Sequence, residues 1–422
     1  MIRRKGLEGF REMAEPDQRF SDLHNSPPAS DHHHPGRPGI IYRTRRSARM
    51  GALIGEVIAD EEGRRGYHSF LAICESGQLS EIKEVLQQQS GSASLPSLSL
   101  QDDDGWTALH YAASSGNPRA VEYLLQQGAL WAMVDNLGYN AGDVAFSMNH
   151  VEVYQIISNH GFRAEALRLT MEATDEEEEG APEASSTATN NARFLASKLT
   201  FKTSTSGQRL CIDSEGNGVM QGWETEIMRE TAKRLCEPLL RNKTPDFELS
   251  ILNVGFGLGI IDSFFQQYQP TRHVIIEPHP DVLQFISDQG WPDKPGVHVY
   301  PGRWQDFLQD VKEGKIQANF DVIYWDTFSE DYRSLKGFFD NVFDLLSDSE
   351  ARFSWFHGLG ATSRTLYDIY TEMAEMDMRE AGLRVSWSEV PVDGGEAVWE
   401  GIKRRYWDIP SPYRLPICTY DV

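Results

Sequence analysis

The sequence contains little cysteine and no long apolar run. Its four cysteines are scattered over 422 residues, with no Cys-x-x-Cys pair and no Cys/His spacing typical of a zinc site. We therefore predict reduced thiols in an intracellular protein and no metal site. No stretch is apolar for long enough to cross a bilayer, and the N-terminus has no apolar segment of the secretory type, which predicts no membrane partner.

The chain also lacks positive charge, because 63 acidic residues outnumber 40 basic ones and leave a net charge of −23 at pH 7. A general nucleic-acid binder needs basic surface to displace counterions, so we expect no direct nucleic-acid partner. An acidic protein is suited to a basic partner. A basic cluster at 43–49 is either a nuclear address or a solvated run. We expect a cytoplasmic protein with access to the nucleus, and a monomer.

Two segments hold too few apolar residues to pack a core. Residues 1–60 mix proline, glycine, histidine and arginine, which predicts a disordered N-terminal extension. The three histidines at 32–34 are either metal ligands or, as we favour, part of a flexible tail. A run of carboxylates followed by alanine, serine, threonine and asparagine predicts an acidic, polar linker over 170–192.

Residues 67–165 contain an internal repeat. The segment DGWTALHYAASSGNPRAVEYLLQQGA, 104–129, resembles an ankyrin repeat, a second copy follows at 136–161, and a degenerate copy precedes it at 67–88. The period is about 33 residues. The matched residues are Gly105, Ala112 and Gly128 in the first copy and Gly138, Ala145 and Gly161 in the second. Stacked units of this kind predict a small all-α domain, which serves either to dock a protein partner or as a spacer.

From 193 to 422 predicted strands alternate with predicted helices, which indicates an α/β domain with a mostly parallel, Rossmann-like sheet. A helix is predicted at 219–240, and the strands are predicted at 248–255, 272–280, 296–304, 320–332 and 351–360. Ligands bind such sheets beyond the carboxyl ends of the strands. The strand ends are therefore where a site is expected.

Three glycines follow the first of these strands, in ILNVGFGLGIID at 251–262. The dinucleotide pattern GxGxxG needs a small residue where Ile260 stands, and no Walker-type lysine follows, so a nicotinamide cofactor or a phosphate site fits poorly. A tight turn that merely tolerates glycine is the other alternative. Two residues at neighbouring strand ends favour an adenosyl cofactor: Glu277 can accept hydrogen bonds from ribose hydroxyls, and Trp304 can stack on adenine.

Five segments together resemble guanidinoacetate N-methyltransferase. They are GNGVMQGWETEIM (216–228), ILNVGFGLGIID (251–262), HVIIEPHPDVL (273–283), GRWQDF (302–307) and YWDTFSEDY (324–332). With the ankyrin prefix, FLASKLTF at 194–201 and FHGLGATS at 356–363, the chain more closely resembles the fungal type IV protein arginine N-methyltransferases, the arginine N-methyltransferase 2 family. The resemblance covers about residues 60–422.

This resemblance implies a class I S-adenosylmethionine-dependent methyltransferase. The implied reaction is monomethylation of the δ-nitrogen of an arginine in a large-subunit ribosomal protein of the L12 type, which the ankyrin repeats would help to dock. Glu224 and Asp326 are implied to hold the guanidino group, with Asp326 as the base. A guanidinium is a protonated and poor nucleophile, and paired carboxylates suit it. The alternatives are a helix-surface carboxylate for Glu224 and a strand-end cap for Asp326.

The resemblance also implies a set of cofactor-binding residues. They are Phe201, Met228, Val254, Gly255, Phe256, Gly257, Leu258, Gly259, Glu277, Pro278, His279, Arg303, Trp304, Gln305 and Asp326. Ordinary helix core is the alternative for Met228.

Two other functions remain open from the sequence: a small-molecule guanidino N-methyltransferase and a non-catalytic ankyrin adaptor. The segment FHGLGATS replaces a polar segment that holds a carboxylate in the small-molecule enzyme, which favours a peptide substrate. His357 within it is either a base or a packed strand-end residue. Residues 404–418 either cover the site with Tyr406 and Trp407 or form the last strand of the sheet.

Overall fold

The computed structural model describes residues 61–88, 98–172, 186–241, 247–392, 395–409 and 411–421. The predicted N-terminal extension, 1–60, and the middle of the predicted linker, 173–185, lie outside these ranges. All described residues belong to one packed unit, so the repeats and the sheet can be described together. Within these ranges no helix has both the length and the apolar character that a bilayer span requires.

The ankyrin region is built from helix pairs, as predicted. Its helices are α1 (Glu61–Ser76), α2 (Leu79–Gln88), α3 (Ala108–Ser115), α4 (Pro118–Gln126), α5 (Ala141–Ser147) and α6 (Val151–Glu172). The TALH sequence explains the start of α3, because Nδ1 of His110 accepts the backbone N–H of Thr107 at 3.2 Å. The opposite ring nitrogen, Nε2, lies 3.1 Å from the carbonyl oxygen of Tyr139, and this contact joins one repeat to the next.

Two sheets follow the repeats. The strands of a small antiparallel sheet are β1 (Thr200–Thr203), β2 (Arg209–Ile212) and β3 (Gly218–Gln221). The larger sheet contains β4 (Ser250–Val254), β5 (Arg272–Ile276), β6 (Val297–Tyr300), β7 (Val322–Trp325), β8 (Arg352–Trp355), β9 (Leu383–Val390) and β10 (Tyr413–Tyr420). Its seven strands lie in the order β6-β5-β4-β7-β8-β10-β9. β6, β5, β4, β7 and β8 pair in parallel, while β10 is antiparallel to both of its neighbours.

Helices flank the larger sheet. They are α7 (Asn191–Leu195), α8 (Thr225–Arg241), α9 (Ile260–Phe265), α10 (Pro280–Asp288), α11 (Trp304–Lys312), α12 (Tyr332–Leu345) and α13 (Arg364–Glu380). All four residues of β7 are buried, and four of the five in β4 and in β5 are buried. A parallel strand covered on both faces reads as a continuous apolar run, which is why these strands were predictable. The mostly parallel α/β fold after ankyrin repeats is confirmed.

Two local predictions need correction. The helix predicted over 219–240 begins only at Thr225, because Val219 and Met220 lie in β3, which pairs with β2. The predicted linker over 170–192 is structured at both ends. α6 continues to 172, and Thr187 is buried, with its hydroxyl donated to Asp213 at 2.5 Å.

The ankyrin region packs against α13 through buried polar contacts. Oδ1 of Asp143 accepts the backbone N–H of Thr365 at 2.9 Å, and the hydroxyls of Thr365 and Ser363 at 3.0 and 3.1 Å. The side-chain amide of Asn140 donates to the Ser363 hydroxyl at 3.0 Å. Asp143 therefore satisfies donors at the start of α13 that the helix itself cannot satisfy.

A second contact lies one turn further along α13. Tyr154 donates its hydroxyl to Oδ2 of Asp368 at 2.5 Å, and Arg364 and Arg414 form ion pairs with the same carboxylate at 2.8 and 2.7 Å. Since each charged group in this contact has an opposite partner, the interface can be buried without an isolated charge.

We expect Asp143→Ala to lower the free energy of unfolding by about 1–3 kcal/mol, because it leaves four buried donors without their acceptor: the three at α13 and the backbone N–H of Asn140. Urea denaturation followed by circular dichroism measures the change. Glu122→Ala, at an exposed position on α4, is the control and should change stability by less than about 0.5 kcal/mol. Equal denaturation midpoints for the two variants would contradict the role given to Asp143.

Candidate active site

The ends of β4, β5 and β7 meet at Gly255. Its backbone N–H donates to the carbonyl of Ile276 at 2.9 Å, and the N–H of Asp326 donates to the carbonyl of Val254 at 2.8 Å. Gly255 has a φ of 90°, and a Cβ built on it would lie 2.0 Å from the carbonyl oxygen of Asp326. Only glycine permits this conformation and this approach.

The second glycine of the loop packs against the small sheet. Gly257 has a φ of 53°, and an added Cβ would lie 2.8 Å from Sδ of Met220. The backbone N–H of Leu258 donates to the same sulfur at 3.2 Å. The glycine-rich loop is therefore held between the end of β7 on one side and β3 on the other.

A cleft of about 650 Å³, counting the open space at its mouth, lies against this loop. The predicted residues that line it are Val254, Gly255, Phe256, Gly257, Glu277, Pro278, Arg303, Trp304 and Asp326. The strand ends that the sequence singled out thus contribute to one cleft.

Glu277 is a buried carboxylate at the end of β5. Oε2 accepts the backbone N–H of Phe256 at 3.0 Å, and Oε1 accepts that of His279 at 2.8 Å. Burial raises the pKa of Glu277 to about 7, against the opposing effect of these hydrogen bonds. Because a carboxylate oxygen can accept more than one donor, Glu277 can also accept hydroxyl groups from a sugar in the cleft.

Trp304, the first residue of α11, is fixed by its ring nitrogen. Nε1 donates to Glu330, with both carboxylate oxygens at 3.1 Å, and the hydroxyl of Thr327 donates to Glu330 at 2.8 Å. The tryptophan ring meets Phe338 edge to face, with ring centroids 5.6 Å apart. The cleft therefore has a rigid aromatic wall that suits a planar base.

Six of the predicted cofactor residues do not line the cleft. They are Phe201, Met228, Leu258, Gly259, His279 and Gln305. Phe201 stacks on Phe285, with centroids 4.4 Å apart, and His279 caps the start of α10 by accepting the N–H of Asp281 at 3.1 Å. Met228 is fully buried on the inner face of α8, where its sulfur accepts the hydroxyl of Tyr324 at 3.4 Å. Phe201 and Met228 thus lie outside the cleft lining, and their closure over the cofactor stays a prediction.

The cleft also contains residues that the sequence did not single out. They are Phe194, Val219, Met220, Thr327, Phe328 and Glu330, among others. Val219 and Met220 stand in the quoted segment GNGVMQGWETEIM, and Phe194 stands in FLASKLTF. Because 219–240 was predicted as a helix, the sequence offered no reason to place Met220 in the cleft. In fact Met220 lies in β3, and its side chain contacts the glycine-rich loop at Gly257.

Asp326 and Glu224 are a pair of carboxylates close enough for the charge of Glu224 to act on Asp326. Oδ2 of Asp326 has no hydrogen-bond partner and no accessible surface. Burial first, and then the charges of Glu224 and Asp262, raise the pKa of Asp326 well above its ordinary value. Glu224 is 3% exposed, which excludes a helix-surface role, and burial raises its pKa to about 7. Two such groups release their protons as a pair and can be stabilised by one cation.

Residues 404–418 serve both of the roles considered from the sequence. Tyr413 begins the strand β10, and before it the hydroxyl of Tyr406 donates to Oε1 of Glu224. Trp407 is buried beside Tyr413, with ring centroids 5.4 Å apart. The C-terminal segment therefore completes the sheet and also reaches the carboxylate pair.

His357 lies at the end of β8 and outside the cleft lining. Nε2 lies 2.8 Å from the hydroxyl of Thr371, and Nδ1 accepts the ring N–H of Trp355 at 3.4 Å. Burial lowers the pKa of His357 to about 3, which keeps the ring neutral. These contacts fit a packed strand-end histidine rather than a base. Among the described residues no cluster of histidine, cysteine and carboxylate groups suits a metal ion, and the four cysteines are buried and unpaired.

Two family models match the chain. The ankyrin repeat model matches residues 70–166 in three copies, and the guanidinoacetate N-methyltransferase model matches residues 198–359. The second match spans the glycine-rich loop and both carboxylates of the pair.

Several curated fungal proteins resemble the chain over most of its length, and each of these is named protein arginine N-methyltransferase 2. The protein from Cryptococcus neoformans is 42% identical over 76% of this chain and 88% of its own length. The Aspergillus oryzae protein is 39% identical over 71% of this chain and 77% of its own. The Emericella nidulans protein is 32% identical over 90% of this chain and 93% of its own.

We expect Gly255→Ala to abolish S-adenosylmethionine binding, because its Cβ must displace the Asp326 carbonyl and separate the strand ends. Gly290→Ala is the matched control: its φ is 68°, but no atom lies within 4 Å of the added Cβ, so it bears only a backbone strain of about 1–2 kcal/mol. The measurement is the rise in melting temperature on adding the cofactor, which reports binding to the folded state. Equal rises for the two variants would contradict the close approach.

Proposed function

The chain belongs to the protein arginine N-methyltransferase 2 family, and from that premise we propose that it monomethylates the δ-nitrogen of an arginine in a large-subunit ribosomal protein of the L12 type. The methyl donor of this family is S-adenosylmethionine. The observation that carries the proposal is the pair of carboxylates beside the cofactor cleft, the buried Glu224 and the partly buried Asp326. A guanidinium offers five N–H donors in one plane, so it can bridge two neighbouring carboxylates.

The residues of the cleft fit the donor. Glu277 would accept the ribose hydroxyls, the Trp304 wall would lie at the adenine, and Gly255 and Gly257 would let backbone approach the methionine part. When bound, S-adenosylmethionine supplies an electrophilic methyl group on its sulfonium. The backbone bond from the Asp326 N–H to Val254 ties the base to this loop, so cofactor and acceptor are oriented by one set of strand ends.

Asp326 is the proposed base. Arginine enters as a guanidinium and leaves as a methylated guanidinium, so one proton must be removed when the N–C bond forms. Oδ2 of Asp326 has no partner, and a carboxylate with a raised pKa is a better proton acceptor than an ordinary one. Glu224 would hold the remaining N–H groups and stabilise the cation.

A protein substrate is favoured over a free guanidino acid. The backbone N–H of His357, in the segment that differs from the small-molecule enzyme, already donates to the Tyr413 hydroxyl at 2.7 Å and is not free to hold a carboxylate. The ankyrin loop between α4 and α5 exposes Leu130, Val134 and Leu137, which are 56%, 45% and 65% accessible. We propose that the protein substrate docks on this loop, because its exposed apolar side chains can be covered by a partner.

The nitrogen and the substrate are tested together. Purified protein with labelled S-adenosylmethionine is offered the L12-type ribosomal protein, made in bacteria and unmodified, and guanidinoacetate in a parallel reaction. Fragmentation mass spectrometry of the product then separates methylation of the δ-nitrogen from methylation of the terminal nitrogens. We expect one methyl group on the δ-nitrogen. Transfer to guanidinoacetate alone, or to a terminal nitrogen, would overturn the proposal.

We expect Asp326→Asn to lower kcat by at least about 100-fold while cofactor binding persists, because the amide keeps the size of the side chain but cannot take the proton. Steady-state kinetics and calorimetric titration with S-adenosylmethionine measure the two effects. Asp331→Asn is the control: Asp331 is exposed and caps α12, a role that asparagine fills equally well. A fully active Asp326→Asn enzyme would exclude Asp326 as the base.

A further inference from the structure

The two oxygens of Glu224 have different surroundings. Oε1 accepts the backbone N–H of Gln221 at 3.0 Å and also the hydroxyl of Tyr406. Among the described residues no hydrogen bond is made to Oε2. Each carboxylate oxygen has about two acceptor positions, so Oε1 is filled and Oε2 is open.

Tyr406 stands 182 residues from Glu224 in the sequence, and several contacts hold it there. Its ring meets Trp399 edge to face, with centroids 5.1 Å apart, and lies 6.1 Å from the ring of Trp223. A Cβ added to Gly218 would lie 3.0 Å from Cε1 of Tyr406, so β3 leaves room for the ring by having glycine there.

The backbone just before Tyr406 is bound to the turn between β2 and β3. The N–H of Lys403 donates to the carbonyl of Gly216 at 2.9 Å, and Arg404 forms a parallel bridge with Asn217. Residues 403–404, just before Tyr406, are thus hydrogen-bonded to the chain that leads into β3, and this holds Tyr406 next to Glu224. These contacts on both the ring and the backbone fix Tyr406 in place, so its hydrogen bond to Glu224 is a built feature of the fold.

We propose that Tyr406 is a positioning residue for the acceptor arginine: its hydroxyl and the Gln221 N–H hold Oε1 of Glu224, and Oε2 is thereby presented to the guanidinium. This inference rests on the proposed function, because it gives Glu224 a guanidinium to hold. It assigns to the C-terminal segment a part in substrate binding, besides its part in the sheet.

The pH dependence of the reaction reports whether Tyr406 acts on Glu224. The titratable groups that face Glu224 are Tyr324 from β7, Asp326 directly after β7, Tyr413 from β10 and Tyr406 itself. Burial raises the pKa of Glu224 to about 7, and the hydrogen bond from Tyr406 opposes that rise. Removing the hydroxyl should therefore raise the apparent pKa of the carboxylate pair further. The pair must be ionised to hold a cation, so the acid limb of kcat/KM should move to higher pH.

The test is Tyr406→Phe in the full chain, which removes the hydroxyl and keeps the ring. With the unmodified L12-type ribosomal protein as acceptor, we expect kcat to fall about 10- to 100-fold, as for other small misplacements of reacting groups, and the acid limb to move upward. Binding of S-adenosylmethionine should be unchanged by calorimetry. Tyr420→Phe is the control, since the Tyr420 hydroxyl, at the far end of β10, donates to the carbonyl of Phe343 at 3.3 Å and not to Glu224.

A second variant reaches the same geometry differently. Gly218→Ala keeps the Tyr406 hydroxyl group but displaces the ring that carries it. Like Tyr406→Phe, it should lower kcat and move the acid limb of the pH profile of kcat/KM to higher pH. Wild-type rates and an unshifted limb in Tyr406→Phe would overturn the inference, as would a lower KM, which would mean that Tyr406 blocks the arginine rather than orienting Glu224. If the wild-type enzyme itself fails to label the ribosomal protein, the proposed function fails instead, and the two failures are distinct.

Discussion

The site depends on one constraint: the carboxylate of Glu224 and the Oδ2 oxygen of Asp326 are both held away from water. An ionised group away from water is costly without a partner, and the charge of Glu224 adds to the rise in the pKa of Asp326. Glu224 is stabilised by two donors, whereas Oδ2 of Asp326 has none. A pair in this state is stabilised most by a cation that carries several N–H donors, and least by a neutral or anionic molecule. The cost of burial therefore contributes to the selection of the acceptor.

The glycine-rich loop fixes the position of the carboxylate pair relative to the cofactor cleft. Because the Asp326 carbonyl lies where a Cβ of Gly255 would be, the base and the loop cannot move independently. Met220 fixes the other side of the loop at Gly257, and β3, which carries Met220, leads directly into the turn that holds Glu224. Both carboxylates are thus connected to the cofactor loop by a few residues of rigid backbone, which is the precision that transfer between two bound molecules requires.

Local patterns in the sequence predicted the parts that depend on near neighbours in the chain. The buried parallel strands, the ankyrin period and the strand-end residues Gly255, Glu277 and Asp326 all follow from apolar runs and spacing. What could not be predicted depends on distant pairing. Met220 was predicted in a helix because its strand forms only by pairing with β2. The contact between Tyr406 and Glu224 joins residues that are 182 positions apart in the sequence. Neither contact leaves a periodic signal.

The ankyrin region is joined to the site more closely than a docking module needs to be. A hydrogen-bonded series runs from its last helix to the end of β8, through Tyr154, Asp368, Arg414, Thr371 and His357. His357 then donates its backbone N–H to Tyr413, whose ring packs beside Trp407, the residue that follows Tyr406. Every member of the series is buried or partly buried, so cutting it anywhere leaves polar groups unsatisfied. The repeats therefore support the C-terminal segment that reaches Glu224, and a substrate held on their loops would be bound by the same packed unit that orients the carboxylate pair.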